Sequence, residues 1–248
     1  MTNPTPKVWF ITGCSSGIGL ALARAVLSHG HLVIASSRNP SKTPSLVDEI
    51  TQAGGHWLQL DVSSAEANIK ATIDEAVSIH GRLDVLVNNA GYVVRGAVED
   101  VSLPTAHQIL QTNFLGPLTT IQSALPYMRT ARTGTIINVT SIGGLIGLPA
   151  VGLYSATKFA LEGLSETLSQ EVSEFGIRVL LVEPGPFRTN MLGNSGAESV
   201  VGMSEGYRGG TVVERTLQSM ERTHGMQDGD PEKAAERMWE VVEDLRGC

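Results

Sequence analysis

Tyr154 and Lys158, in the segment Tyr154-Ser-Ala-Thr-Lys158, stand four residues apart in a pattern that reads as helix, so phenol and ammonium fall on one face. A phenol titrates at about 10 and is a poor acid–base group at neutral pH unless a nearby positive charge stabilises the phenolate. Lys158 supplies such a charge. Ser141 ends a strand pattern thirteen residues earlier, from where its hydroxyl can meet a substrate oxygen beside the tyrosine. A tyrosine and a lysine at this spacing also occur for packing alone, so the pair by itself is not decisive.

Asn113 adds a mechanical clue. In Asn113-Phe-Leu-Gly-Pro117 the proline has no N–H for the carbonyl four residues earlier, which predicts a kinked helix and a free Asn113 carbonyl able to hold a water. If Lys158 reaches that water, a proton path runs from Tyr154 to solvent. The plain alternative is a kink that merely turns the helix.

A second group of residues is shaped for binding. Thr12-Gly-Cys-Ser-Ser-Gly-Ile-Gly19 lies between an apolar run and a helical pattern, and Gly13, Gly17 and Gly19 permit a tight turn with close backbone approach. Amides at the start of the following helix, with Ser15, Ser16 and Ile18 in the same loop, then face an anion, and a dinucleotide pyrophosphate is the expected ligand. The next strand pattern ends Ser36-Ser37-Arg38, with no carboxylate to repel a 2′-phosphate. Ser37 and Arg38 offer a hydroxyl and a guanidinium to bind one, which favours NADPH over NADH. Asp61, followed by Val62, ends a third strand, where a carboxylate can accept from an adenine amino group. Asn88-Asn89-Ala90-Gly91 ends a fourth, with Ala90 and Gly91 leaving room for a flat ribose and ring and only one asparagine, taken as Asn89, expected near cofactor. None of these motifs calls for a metal.

The elements that must position these residues alternate. KVWFIT, HLVIASS, HWLQLDV, LDVLVNNAG, GTIINVTS and IRVLLVEPG read as strands. Helical patterns lie between them at about Gly17 to His29, from Pro44, at Ala65 to His80, at Pro104 to Arg129 and from Tyr154, with a last one over Pro231 to Leu245. VLVNNA and RVLLVEP are nearly continuous apolar runs, which predicts burial on both faces and parallel pairing. The predicted fold is one α/β domain over 1–248, a doubly wound Rossmann sheet whose strand ends gather on the carboxyl edge where such folds bind ligands. The segment 188–210 is the one long irregular stretch and reads as a flexible substrate loop. Phe187, Met191, Leu192 and Met203 make it a candidate lid over an apolar substrate.

Composition narrows the partners. A formal net charge of −7 gives no broad basic face for nucleic acid or anionic lipid. Cys14 and Cys248 do not read as halves of a bridge, and no segment reads as a targeting signal or membrane span. The expectation is a soluble, cytoplasmic protein that acts on a small molecule.

Taken together, TGCSSGIG at 12–19, LDV at 60–62, NNAG at 88–91, Asn113, Ser141, YSATK at 154–158 and PGPFRT at 184–189 resemble the short-chain dehydrogenase/reductase family over nearly the whole chain. The resemblance implies hydride transfer between a nicotinamide and a carbonyl or alcohol carbon. Tyr154 would be the acid–base, and Ser141 would polarise the carbonyl. Lys158 would bind the nicotinamide ribose and lower the tyrosine pKa, while Asn113 would anchor a relay water. It also places Pro184, Gly185 and Thr189 beside the nicotinamide carboxamide. TGCSSGIG with the ending SSR looks most like the hydroxysteroid and retinol dehydrogenase-like branch. Relatives usually continue into a seventh strand, whereas this chain stops at Cys248, so an absent or altered edge strand is expected; a homo-oligomer is implied by the family. A redox-neutral isomerase or cyclase, or a non-catalytic NADP(H) sensor, would use the same residues and is distinguished by cofactor consumption.

Overall fold

The computed structural model describes residues 5–192 and 200–243. Six strands form one sheet: β1 (Val8–Ile11), β2 (Leu32–Ser37), β3 (His56–Gln59), β4 (Val85–Asn88), β5 (Gly134–Val139) and β6 (Ile177–Val182). Their order is β3-β2-β1-β4-β5-β6, every pairing is parallel, and β6 lies at an edge of the described sheet. The order reverses between β1 and β4, which is where a doubly wound sheet opens its ligand crevice.

The apolar runs are explained by two cores. Trp9 and Ile11 of β1 face one side with Val33, Val85, Val87 and Ile137, while Val8 and Phe10 face the other with Ile34, Leu86 and Ile136. The first layer is covered by α1 (Gly17–Ser28), α2 (Pro44–Gln52) and α8 (Pro231–Val242), the second by α3 (Glu66–His80), α5 (Gly116–Ala131) and α6 (Gly152–Val172). Because successive side chains alternate between two dry faces, both parities are mainly apolar, and buried polar exceptions such as Ser36, Asn88 and Asn138 are hydrogen-bonded. Local signals set several boundaries: Pro44 and Pro231 stand at the first turns of α2 and α8, and the Asp230 side chain accepts from the Glu232 amide. The α8 helix is held to β1 and α1 by aromatic and ionic contacts. His29 stacks on Trp239 with ring centroids 3.5 Å apart, and Lys7 Nζ donates to Glu243 Oε1 at 2.8 Å.

Two features depart from the sequence expectation. The region from Pro104 to Arg129 is not one kinked helix but α4 (Leu103–Leu110), a π-helical turn over Gln111–Leu115, and then α5. Within the turn the Gly116 amide donates to the Gln111 carbonyl, five residues back. Pro117 provides the reason, since a residue without an N–H cannot continue the four-residue ladder and the wider turn absorbs the mismatch. In addition, α7 (Val212–Thr223) follows the irregular region and was not expected from the sequence. The Thr211 hydroxyl caps it by accepting from the Glu214 amide at 3.3 Å, and Val213 packs with Ala97 and Ala150. Of the predicted flexible loop, residues 193–199 and the Leu192 side chain lie outside the described part; the rest includes short 3-10 turns at Asn190–Leu192 and Glu205–Tyr207.

A buried polar network fixes the second layer beneath the crevice. Asn88 at the end of β4 donates to Asn138 Oδ1 of β5 at 2.9 Å, and Asn138 donates to Ser165 Oγ of α6 at 2.8 Å. Thr120 of α5 donates to Asn88 Oδ1 at 2.6 Å. Thr120→Val preserves the shape but leaves the Asn88 oxygen without its donor. It should lower unfolding free energy in urea by about 1–3 kcal/mol, with Thr120→Ser close to wild type. A change below about 0.5 kcal/mol in the valine variant would remove this network from the determinants of stability.

Candidate active site

The ends of β1 and β4 are latched by one side chain. Thr12 Oγ1 accepts from the amides of Asn89 and Ala90, both at 3.0 Å, and donates to the Val87 carbonyl at 3.2 Å. Asn89 Nδ2 returns the contact, donating to the carbonyls of Thr12 at 2.8 Å and Gly13 at 3.2 Å. The Asn89 amide group is thus engaged by the loop backbone. The loop has no space for larger residues here: a Cβ on Gly19 would lie 2.3 Å from Asn89 Nδ2 and 2.7 Å from the Gly13 carbonyl oxygen. Gly13 and Gly17 both take left-handed φ, +74° and +58°, which glycine adopts without strain.

The loop leads into α1 with its first amides uncapped. Ser16 stands at the N-cap without a side-chain cap bond, and the first turn holds no acidic residue. Those donors are available to an anionic ligand, as the glycine pattern requires. Thr189 reaches over the same loop, its methyl 3.1 Å from where a Gly17 Cβ would stand. The residues proposed for a dinucleotide therefore fit one: a close-packed glycine turn, free helix-start amides and a covering threonine.

On the other side of the crevice, Ser141, Tyr154 and Lys158 converge. Ser141 follows β5, and its hydroxyl oxygen accepts from the Gly143 amide at 3.1 Å while also hydrogen bonding to the Tyr154 phenol. Tyr154 is 7% exposed and Lys158 4%, and Lys158 Nζ lies 5.7 Å from the phenol ring centroid. Lys158 Nζ donates to the Val139 carbonyl at 2.8 Å. Burial pulls the ammonium down to about 8, with the Glu162 carboxylate opposing that shift. For Tyr154, burial raises the pKa and the Ser141 hydrogen bond partly offsets it. Burial therefore holds the phenol above its usual value.

Asn113, fully buried in the π turn, clamps the segment after β4. Its Nδ2 donates to the Tyr92 carbonyl at 2.8 Å, and its Oδ1 accepts from the Tyr92 amide at 3.1 Å. A Cβ on Gly91 would fall 3.2 Å from Asn113 Oδ1 and 3.7 Å from Lys158 Nζ, so these two groups face one point.

A family model described as short chain dehydrogenase matches residues 7–199. The chain belongs to the short-chain dehydrogenase family of oxidoreductases. Among relatives of this short-chain dehydrogenase, Oxidoreductase claN of Passalora fulva is 49% identical over 182 residues, covering 73% of this chain and 82% of the relative. A short-chain dehydrogenase structure from Streptomyces avermitilis has a TM-score of 0.86 and 35% identity, covering 99% of this chain and 87% of that one. A metagenomic short-chain oxidoreductase solved with NADP has a TM-score of 0.68 and 32% identity, covering 73% and 82%.

The remaining residues expected from the sequence lie along the same carboxyl edge in differing environments. Ser37 is buried, and its oxygen accepts from Trp57 Nε1 at 3.1 Å, while Arg38 is exposed. Asp61 Oδ1 accepts from the amide and hydroxyl of Ser63 at 2.9 and 2.6 Å, and Val62 packs under Gly116. Pro184 accepts from the Ile142 amide at 3.2 Å, tying its segment to the Ser141 turn, and Gly185 follows it. Met191 Sδ is 4.0 Å from the Tyr154 hydroxyl, so the irregular segment after β6 begins against the phenol.

Two positioning residues escaped the sequence reading. Thr12 had a visible signal, a hydroxyl between the strand and the glycine loop. Arg188 had none. Its Nη1 donates to the Gln227 carbonyl at 2.8 Å and its Nη2 to Asp230 Oδ2 at 3.1 Å, a carboxylate 42 residues away.

The buried lysine makes stability depend on pH. Its folded pKa of about 8 lies below the ordinary 10.5, so the charged form is penalised fully below pH 8 and the penalty is relieved as pH rises toward 10.5. Lys158→Met should therefore gain about 3 kcal/mol on wild type in urea unfolding at pH 7, less whatever the lost Val139 bond contributes, and that gain should shrink by pH 10. A difference that does not vary with pH would show that Lys158 titrates normally.

Proposed function

We propose that this protein is an NADPH-dependent oxidoreductase acting between the carbonyl and secondary alcohol forms of a small apolar substrate, with Tyr154 as the acid–base. The observation that carries the reading is the convergence of Ser141, Tyr154 and Lys158 at the carboxyl edge, across the crevice from a glycine turn with uncapped helix-start amides. A bound nicotinamide supplies the hydride chemistry.

The chain's own residues handle the oxygen and its proton. Ser141 and Tyr154 hold the carbonyl oxygen between two hydroxyls. Burial keeps the phenol protonated at neutral pH, which suits proton donation in the reductive direction. Lys158, a cation beside the ring, stabilises the phenolate left behind. The proton is restored through Lys158 and a water on the Asn113 carbonyl, which Pro117 leaves without its ladder donor. Cofactor choice rests on the end of β2. Trp57 occupies the acceptor side of Ser37, so the hydroxyl has its proton to give, and Arg38 adds a fixed charge for a 2′-phosphate.

Apolar side chains exposed on the Ser141 turn, Ile142, Leu145 and Ile146, and Phe159 on α6 support self-association into a homo-oligomer. Among the described residues no helix is long and apolar enough to cross a membrane, and a cytoplasmic setting is part of the proposal.

The test is incubation with NADPH and a panel of ketones, aldehydes, quinones and steroid-like carbonyls, following cofactor and product together. Product should appear with matching NADPH loss, and Tyr154→Phe should abolish it while binding NADPH nearly as wild type. Turnover retained in Tyr154→Phe would remove that residue from the chemistry, and altered substrate without NADPH loss would make the protein an isomerase. Arg38→Gln should weaken NADPH by about tenfold or more and leave NADH nearly unchanged in equilibrium titrations. Equal losses for the two cofactors would make Arg38 a structural residue.

A further inference from the structure

Arg95 is the unusual charge in this molecule. It is 4% exposed, its Nε has no partner, and among the described residues its side chain makes no hydrogen bond or ion pair. Arg24, Arg82, Arg188 and Arg237 each meet a carboxylate at the surface. A guanidinium does not neutralise itself by losing a proton, so burying one without a counter-charge is unfavourable.

Its place in the fold says what kind of anion is missing. Arg95 lies in the segment that runs from the end of β4 past the Asn113 clamp. The next residue pairs with the lead-in to α6: the Gly96 amide donates to the Ala150 carbonyl at 2.8 Å, and Gly96 bridges to Val151, one helical turn before Tyr154. On its other side Arg95 bridges to Val200, and its carbonyl accepts from the Val201 amide at 2.9 Å, where the lid returns. Val93, Val94 and Val151 form one apolar cluster with Tyr154, and Val201 packs against it. The cation thus stands in an otherwise apolar wall, between the first turn of α6 and the lid.

We propose that Arg95 receives a carboxylate carried by the substrate, so that the protein acts on an apolar oxo or hydroxy acid; this rests on the carbonyl-reductase reading above. A guanidinium presents a planar fork of donors that matches a carboxylate bidentately, and the little of the side chain left accessible suits one small planar group. The apolar wall takes the body of the substrate, and Arg95 fixes which end enters. With a net charge of −7 and no broad basic face, Arg95 is the feature of this wall that discriminates an acid from its neutral analogue.

The experiment is calorimetric titration of the NADP⁺-loaded protein with 4-acetylbenzoate and with its methyl ester. Wild type should bind the acid about tenfold or more tighter than the ester. Arg95→Met should lose that preference, Arg95→Lys should keep part of it, and both variants should bind NADP⁺ as wild type does, which checks folding. Equal binding of the two probes by wild type, absence of binding by either, or an undiminished preference in Arg95→Met would overturn the proposal. If the methionine variant does not fold, the wild-type comparison and Arg95→Lys still decide. Binding is read without turnover, so failure to reduce any carbonyl counts against the reductase reading alone.

Discussion

The Thr12 hydroxyl, bonded to two amides and a carbonyl of the adjacent strand, is the contact on which the site depends. It joins the ends of β1 and β4 at the point where the sheet reverses its strand order, and the Asn89 amide closes the same latch from the opposite strand. Parallel strands splay at their carboxyl ends, since the chain leaves each for a different helix. The latch holds the splayed ends together while keeping the glycine turn open above them. Gly19 is tightly restricted because Asn89 occupies the space where a side chain would begin.

The side of the crevice with Ser141, Tyr154 and Lys158 is held by different means. Tyr154 and Lys158 have fixed relative positions because both belong to α6, but their distance from Ser141 depends on how α6 seats on β5. The Asn88–Asn138–Ser165 network and Thr120 set that seating, because each buried polar atom must find its partner. The π turn extends the control to Asn113, which grips Tyr92 through both atoms of its amide. Burial that secures this geometry also sets the electrostatics, raising the phenol and lowering the ammonium. Rigidity and proton affinity thus share one cause, exclusion of water from the start of α6.

The segment after β6 is anchored to the far end of the chain. Arg188 bonds the backbone before α8 and the Asp230 side chain that caps it, so the residues beside Thr189 and Met191 are tied to a helix packed on the opposite layer. Arg95 meets the lid where it returns, at Val200 and Val201. The two arginines differ in kind: Arg188 is satisfied by the protein, whereas Arg95 is buried with no partner for its Nε.

Sequence by itself determined the six strands, the parallel sheet and the placement of Tyr154 and Lys158 on one helix. Strands buried on both faces need unbroken apolar runs, and the four-residue spacing of Tyr154 and Lys158 is a property of any helix. Proline and capping residues likewise marked α2 and α8 because they act within a turn of the backbone. The helix α7 was not read from the sequence although Val213, Leu217 and Met220 recur at helical spacing; Val213 alone of its residues is buried, and Leu217 and Met220 are only partly covered. Pro117 signalled a broken ladder, but only the packed structure chose a π turn as the way to absorb it. The Thr12 latch, the Arg188 clamp, the burial of Arg95 and the proton affinities of Tyr154 and Lys158 were decided by tertiary structure. Each depends on groups distant in sequence or on exclusion of water, which local spacing does not encode.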